Sequence, residues 1–235
     1  MNISLSIIVP AFNEEGSLRT VVEQIHRLAQ KNVPGFEILI VDDGSRDHTF
    51  AIAEDLKKYY PNVSVIRHDR NLGSGSAIRT GIQNSRGELV TYIPADGQFH
   101  LPELNDFLAA MENSDIVIGA RIKRSDYTWL RQLSSRVFIL LVNFLFHQSF
   151  KDVNWVHMWR KKIFEKVQPK SRGVFLLEEI LVRARRAGYQ IKEIDSLYIP
   201  RLSGEAKGSN WKTIVKTIFE MALFRLEISF PGRKL

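Results

Sequence analysis

Asp96 and Gln98 stand two residues apart, just past a run of β-branched and apolar residues, Leu89-Val90-Thr91-Tyr92-Ile93, that Pro94 and Gly97 bring to a stop. A carboxylate and an amide so placed can aim two oxygens in one direction. Such a pair suits a hard divalent cation that also holds phosphates. An ordinary Asp-Gly turn explains the stretch equally well. Polar groups also follow apolar runs at Pro10-Ala11-Phe12-Asn13-Glu14-Glu15, at Asp42-Asp43-Gly44-Ser45 and at Arg121. In an open α/β sheet, ligands gather beyond the carboxyl ends of the strands. Carboxylates there can accept hydrogen bonds from a base or from ribose hydroxyls. Each segment alone is a common turn or helix cap. Their recurrence at successive strand ends points to a nucleotide site.

Other chemistries find less support. The chain of 235 residues has no cysteine, so thiolate nucleophiles, thiolate metal sites and disulfides are excluded. The histidines at 26, 48, 68, 100, 147 and 157 show no zinc-type spacing. No Gly-x-Ser-x-Gly elbow occurs. Asn71-Leu72-Gly73-Ser74-Gly75-Ser76 lacks both the Gly-Lys-Ser/Thr of a P-loop and the third glycine of a dinucleotide fingerprint. Its glycines read as a tight turn into a helix. No nucleic-acid motif is present, and no nucleic-acid partner is expected. Met1-Asn2-Ile3-Ser4 lacks the basic start of a signal peptide, and a cytoplasmic protein is expected.

The elements that must position these residues alternate through the first half. Strands are predicted at 5–9, 36–41, 63–66, 89–93 and 115–119. Helices are predicted after Asn13, read as an N-cap, after Asp47, and over 76–85 and 101–111. Such alternation predicts a mostly parallel, Rossmann-like α/β sheet flanked by helices, with right-handed crossovers. After Gly119 the pattern changes to helices at 129–146, 174–188 and 211–230, with a strand near 191–199. Residues 137–146 hold one polar residue, Asn143, too short a run to span a bilayer, which takes about 20. Trp129, Arg131, Arg136, Lys151 and Trp155 flank it, and the terminal helix carries an apolar face with interspersed Lys212, Lys216 and Arg225. Both are read as interfacial helices, with burial against the core as the alternative. Charge segregates in parallel. Residues 1–118 carry a net −6 and residues 119–235 a net +13, which points to phosphates or an anionic membrane face as partners.

With these residues in place, the chain resembles the family 2 glycosyltransferases of GT-A fold, in the branch that makes dolichyl- or polyprenyl-phosphate hexoses. Val9-Pro10-Ala11-Phe12-Asn13-Glu14-Glu15 is similar to the opening V-P-x-Y-N-E, and Val41-Asp42-Asp43-Gly44-Ser45-Arg46-Asp47-His48-Thr49 to V-D-D-G-S-x-D-x-T. Gly119-Ala120-Arg121 matches the motif at the fifth strand. Phe175-Leu176-Leu177-Glu178-Glu179 follows the late helix, and Arg201-Leu202-Ser203-Gly204-Glu205-Ala206-Lys207 the R-x-x-G-E-S-K loop. Two segments depart from the pattern. Pro94 stands where the D-x-D motif has its first Asp, and Val153-Asn154-Trp155-Val156-His157-Met158-Trp159-Arg160 differs from the G-S/x-F-R-x-Y-R segment.

The resemblance implies a GT-A domain over 1–210, with a nucleotide-binding half at 1–118 and an acceptor half at 119–210, followed by the amphipathic helix at 211–235. It implies that Pro10, Phe12, Glu14, Val41 and Asp43 line the nucleotide pocket and that Asp96 and Gln98 hold Mg²⁺ or Mn²⁺. Arg121, Arg201 and Lys207 would meet donor and acceptor phosphates, with Asp96 and Arg121 as the catalytic pair. The implied reaction moves a hexose, with inversion, from a GDP- or UDP-sugar to a polyprenyl phosphate, at the cytoplasmic face of a membrane. Two alternatives stay open. One is a hydroxyl acceptor, for which Glu178 or Glu179 would be the base; the other is a non-catalytic module that binds nucleotide-sugars or polyanions.

Overall fold

The computed structural model describes residues 3–122, 129–204 and 211–230. Apolar residues alternate to both faces of the first strands, which is what a sheet covered on both sides requires. Strands β1 (Leu5–Ala11), β2 (Phe36–Asp42), β3 (Val63–Arg67), β4 (Leu89–Tyr92), β5 (Ile116–Arg121), β6 (His157–Arg160) and β7 (Ile191–Ser196) form one seven-stranded sheet in the order β3-β2-β1-β4-β6-β5-β7. All neighbours are parallel except β6, which runs antiparallel between β4 and β5. The register sets Ile7 beside Ile38 and Thr91, so β1, β2 and β4 end side by side.

Helices α1 (Leu18–Asn32), α2 (Thr49–Tyr59) and α4 (Leu104–Ala110) cover one face over Leu5, Ile7, Val9, Ile38 and Ile40. Helices α3 (Ser74–Asn84) and α6 (Leu176–Arg186) cover the other over Ile8, Leu39, Val41 and Val90. A third apolar cluster joins α5 (Trp129–Phe146) and α7 (Trp211–Ser229) to α6 through Val142, Phe146, Phe175, Val182, Met221 and Phe224.

The first-half elements lie where the periodicity predicts them, with local differences. Asn13 is not a helix cap. It sits in the left-handed region at φ 52°, and α1 begins after Ser17. α3 begins at Ser74, directly after Gly73 at φ 96°. β6 is the strand that the sequence reading did not include. Its apolar run, His157-Met158-Trp159, is four residues long with Arg160, and it carries no turn signal of its own. Trp155 is not an interfacial anchor. It is buried in the loop before β6 and donates its indole N–H to Ser196 Oγ at 2.8 Å.

Helix α3 approaches the segment before α6 closely enough that Gly75 is needed for space alone. A Cβ there would lie 1.9 Å from the Gly173 carbonyl oxygen. The contact also carries a Ser76 Oγ–H to Arg172 carbonyl hydrogen bond of 2.9 Å. We expect Gly75→Ala to destabilise the protein by about 1–3 kcal/mol through overpacking. A fall in the chemical-denaturation midpoint checks this, and an unchanged midpoint would show that the two backbones part at no cost.

Candidate active site

The turns after β1 and β2 are stitched together by side chains answering backbone N–H groups. Asn13 N–H donates to Ser45 Oγ at 2.9 Å, and Asn13 Oδ1 accepts from Arg46 N–H at 2.8 Å. Glu14 N–H donates to Thr49 Oγ1 at 2.7 Å. Asp43, buried, gathers the next loop: Oδ1 accepts from Leu72 N–H (2.9 Å) and contacts His68 Nδ1 (2.7 Å), and Oδ2 accepts from Gly73 N–H (2.8 Å). The Asn71–Ser76 stretch is therefore the loop that Asp43 holds, and its glycine supplies the turn. Pro10 and Phe12 are half-buried at this edge. Val41 is fully buried in the layer beneath α3 and supports the strand end from within, with no exposed surface of its own.

Beyond β4, Asp96 and Gln98 meet a segment that returns from β7. Asp96 Oδ1 accepts from Gln98 N–H at 3.0 Å, and its carbonyl accepts from Leu202 N–H at 3.1 Å. Gln98 Nε2 donates to the Tyr198 hydroxyl, and Gln98 O accepts from Ile199 N–H at 3.0 Å. Arg201 then reaches between two strand ends, donating to Asp96 Oδ2 at 2.9 Å and to Glu14 Oε1 at 2.8 Å. Burial raises the Asp96 carboxyl above its ordinary value; nearby Glu14 adds to this, while Gln98 N–H and Arg201 oppose it. Lys207 lies outside the described residues.

Arg121, at the end of β5, is gripped by Asp152 rather than open to the crevice. Its Nε and one terminal nitrogen donate to the two Asp152 oxygens at 2.7 and 2.9 Å, with both side chains nearly buried. The guanidinium lies 5.0 Å from the Trp155 ring centroid. Asp152 had no place in the sequence reading, because a lone Asp before an apolar run reads as a turn.

The paired glutamates at the start of α6 separate cleanly. Glu179 accepts from Lys170 N–H (3.0 Å), Ser171 N–H (2.8 Å) and Arg183 Nε (2.7 Å), so it pins the preceding loop. Glu178 is wholly buried, and neither carboxyl oxygen has a hydrogen-bond partner among the described residues. Burial holds its carboxyl well above the ordinary range, with Asp152 and Glu220 adding like charge. His157 is buried as well, and burial pushes it down to about 3. It is a neutral packing group here.

The oxygen donors at β4 fit a Mg²⁺ or Mn²⁺ ion of the kind that carries a diphosphate. Asp96 supplies a carboxylate and Gln98 a carbonyl, and such ions keep water and phosphate oxygens for the remaining positions. Among the described residues no cluster of three or more His, Cys, Asp or Glu side chains would hold a metal by protein ligands alone.

Comparison with known proteins agrees with this geometry. The glycosyl transferase family 2 model matches residues 6–171. The chain is 31% identical over 225 residues to the dolichol-phosphate mannosyltransferase of Pyrococcus furiosus, across 92% of this chain and 61% of that protein. It is 30% identical over 257 residues to a dolichyl-phosphate beta-glucosyltransferase of Trichomonas vaginalis, across 99% of this chain and 75% of that one. The chain thus spans less than two thirds of the Pyrococcus protein's length. In fold it superposes on glucosyl-3-phosphoglycerate synthase from Mycobacterium tuberculosis, solved with Mn²⁺, UDP and glucosyl-3-phosphoglycerate, with a TM-score of 0.72, 18% identity and coverage of 99% and 83%. The chain belongs to glycosyl transferase family 2, and its sheet is that of the GT-A fold.

Glu178 yields a pH test with a defined sign. Its folded-state pKa lies above the unfolded value, so the stability it allows is complete below the ordinary carboxylate range and is lost as pH rises toward the folded pKa. Glutamine does not titrate. We expect Glu178→Gln to stabilise the protein near pH 7 and the gain to vanish near pH 4. Denaturation midpoints at the two pH values decide it; a gain equal at both would mean that Glu178 is not held protonated.

Proposed function

We propose that this chain transfers a hexose from a GDP- or UDP-linked sugar to a polyprenyl phosphate at a membrane surface, with inversion. The observation that carries this reading is the convergence of Glu14, Asp96 and Arg201 across the carboxyl ends of β1 and β4. That crevice is where an open α/β sheet binds nucleotides. Asp43 Oδ1 is already filled by two donors, whereas Oδ2 accepts one and keeps a lone pair for a base N–H. Pro10, Phe12 and Glu14 flank the same edge. A divalent ion bound at Asp96 and Gln98 would offset the charge growing on the leaving diphosphate.

The rest of the chemistry falls to this chain's own groups. A phosphate acceptor is an anion near neutral pH and needs positioning rather than deprotonation. Arg201 supplies a charge-assisted donor for donor or acceptor phosphate, and in this reading Lys207 joins it. Arg121 is charge-balanced by Asp152 over Trp155, so in this reading it orders the wall on the acceptor side rather than meeting a phosphate directly. A hydroxyl acceptor would call for an ionised base. Glu178 is wholly buried, with burial raising its carboxyl, and Glu179 is engaged by three donors, so neither stands open as such a base. This favours the phosphate acceptor.

The lipid reading also explains two apolar rows that stay outside the core. On α5, Trp129, Leu133, Val137, Leu140 and Phe144 are exposed at three- and four-residue spacing. On α7, Ile214, Val215, Ile218, Phe219, Leu223 and Leu226 are exposed while Met221 and Phe224 pack inward. No described helix is long and apolar enough to cross a membrane. Both helices fit an interfacial position, on the cytoplasmic leaflet in this reading.

Purified protein, detergent-solubilised polyprenyl phosphate and a panel of radiolabelled GDP- and UDP-sugars with Mn²⁺ test the reaction. We expect label to enter the organic phase from one donor, and Asp96→Asn to lower kcat by about 100-fold or more, the scale of removing a preorganised electrostatic group. Hydrolysis without transfer to lipid would overturn the acceptor; failure of every donor to bind would overturn the pocket. Separately, we expect co-sedimentation with liposomes that Leu140→Asp combined with Phe219→Asp abolishes. Equal pelleting of the variant would remove the two rows from membrane binding.

A further inference from the structure

Pro94 leaves the loop after β4 one carboxylate short of the D-x-D pattern, and the structure brings a carboxylate from another strand end to the guanidinium that Asp96 binds. Glu14 and Asp96 come from different strand ends, yet both bind the same guanidinium, through Oε1 at 2.8 Å and Oδ2 at 2.9 Å. All three side chains are largely buried, with 9%, 14% and 18% exposure for Glu14, Asp96 and Arg201. Two carboxylates that converge on one cation in a shielded crevice form a cation seat. We propose that Glu14 and Asp96 together are the divalent-metal seat of this protein, that Glu14 replaces the carboxylate missing at Pro94, and that Arg201 occupies the seat until a nucleoside diphosphate draws it away.

The geometry gives physical reasons for each part. Without a cation the two carboxylates repel one another, and the Coulombic effect of Glu14 on Asp96 is in that direction. Arg201 relieves this by charge-assisted hydrogen bonds of ordinary length. A metal entering alone must displace Arg201 and leave a guanidinium without its anions inside the crevice. A diphosphate arriving with the metal gives Arg201 new oxygen acceptors, so the exchange keeps every charge paired. The remaining contacts of the 198–204 segment do not require Arg201: Leu202 N–H on the Asp96 carbonyl, Ile199 N–H on Gln98 and Tyr198 on the Gln98 amide can stay. Glu14 is also held independently, by Ser17 Oγ–H on Oε2 at 3.0 Å and by its own N–H on Thr49. Replacing the arginine therefore removes that guanidinium from between the two carboxylates while the contacts of Ser17, Thr49 and the 198–202 backbone still hold their segments.

The assignment rests on the nucleotide-sugar reading of this crevice, but its first test needs no sugar and no lipid. Mn²⁺ binding to the purified protein is followed by loss of the free-ion electron paramagnetic resonance signal, alone and with GDP or UDP. We expect weak binding of Mn²⁺ alone, and about tenfold tighter binding of Mn²⁺ alone in Arg201→Gln, equal to about 1.4 kcal/mol. Adding Glu14→Gln to Arg201→Gln should erase that gain. Glu15→Gln in the same background, an identical change of charge one residue away, should leave it. If Arg201→Gln binds Mn²⁺ no tighter than the wild type, Arg201 is not the seat's occupant. If Glu15→Gln weakens binding as much as Glu14→Gln, general charge explains the effect and Glu14 is no ligand. Should Arg201→Gln fold poorly, the shift in melting temperature on adding Mn²⁺ is read for Arg201→Lys and the wild type; a larger shift in the wild type overturns the proposal. Normal Mn²⁺ behaviour in these variants, combined with no binding of any nucleotide-sugar, would sink the enzyme reading and leave the seat standing.

Discussion

Four carboxylates, those of Glu14, Asp42, Asp43 and Asp96, are gathered at the carboxyl ends of three neighbouring parallel strands, and the surrounding structure is arranged to hold that negative charge. Parallel pairing of β2, β1 and β4 makes the crowding unavoidable, because the register ends all three strands on one edge. Each acid is answered differently. Asp42 takes Ser45 N–H and an ion pair with Arg67 at 3.2 Å; Asp43 takes two backbone N–H groups and His68. Glu14 and Asp96 share Arg201, which is 187 and 105 residues away from them in the chain. Buried polar groups left unmatched are destabilising by about 1–3 kcal/mol each, so these pairings decide whether the strand ends can be ordered. The same acids, once ordered, are hydrogen-bond acceptors of the kind that the base and ribose of the proposed nucleotide would use.

What the sequence conveyed and what it withheld follow from the range of the interactions involved. Strands and helices of the first half are written in local periodicity, and Leu89 to Tyr92 or Phe36 to Asp42 can be recognised without knowing their neighbours. Asp96, Asp43 and Glu14 stand out in the sequence as candidates because strand-end acids recur in order, and the fold brings them to one edge of the sheet. β6 was not legible, since its burial comes from being sandwiched between β4 and β5, a property of the sheet and not of four residues. Asn13 looked like a cap because caps and turns use the same side chains; only its positive φ and its bonds to Ser45 and Arg46 distinguish the two. The pairing of Arg121 with Asp152, and the different duties of Glu178 and Glu179, are likewise tertiary facts. Adjacent glutamates at the start of a helix look alike in sequence. One is met by Lys170, Ser171 and Arg183, and the other is buried with no hydrogen-bond partner among the described residues.

Glu178 shows how the fold constrains the chemistry. A buried carboxyl with no partner among the described residues stays neutral, because burying it charged would cost far more than keeping its proton. By linkage, a carboxyl raised in this way is expected to lower stability near neutral pH relative to an amide of the same shape. In a transferase with a phosphate acceptor this carries no kinetic penalty, since no proton has to be removed before attack. The acceptor's own charge does the work that a base would do, and positive groups around the crevice become the limiting requirement. The sign change between the two halves of the chain, −6 to +13, is the bulk expression of that division.

The connection between the crevice and α7 sets a length scale for the proposed reaction. Trp211, ten residues after Arg201, begins the helix whose outward face is apolar. Ten residue steps separate the two, a reach of at most about 35 Å of fully extended chain. An interfacial helix buries its apolar face about 5–10 Å into the headgroup boundary. In the proposed reading a lipid phosphate meets the crevice while its tail remains in the bilayer. Met221 and Phe224 fix the roll of α7 by packing against Phe146 and Phe175, which leaves Ile218 and Phe219 facing outward. Its orientation is thus set by the core and not by the membrane. A preformed apolar face adds no folding cost to docking, and in this reading the enzyme meets its lipid acceptor with the crevice already aligned.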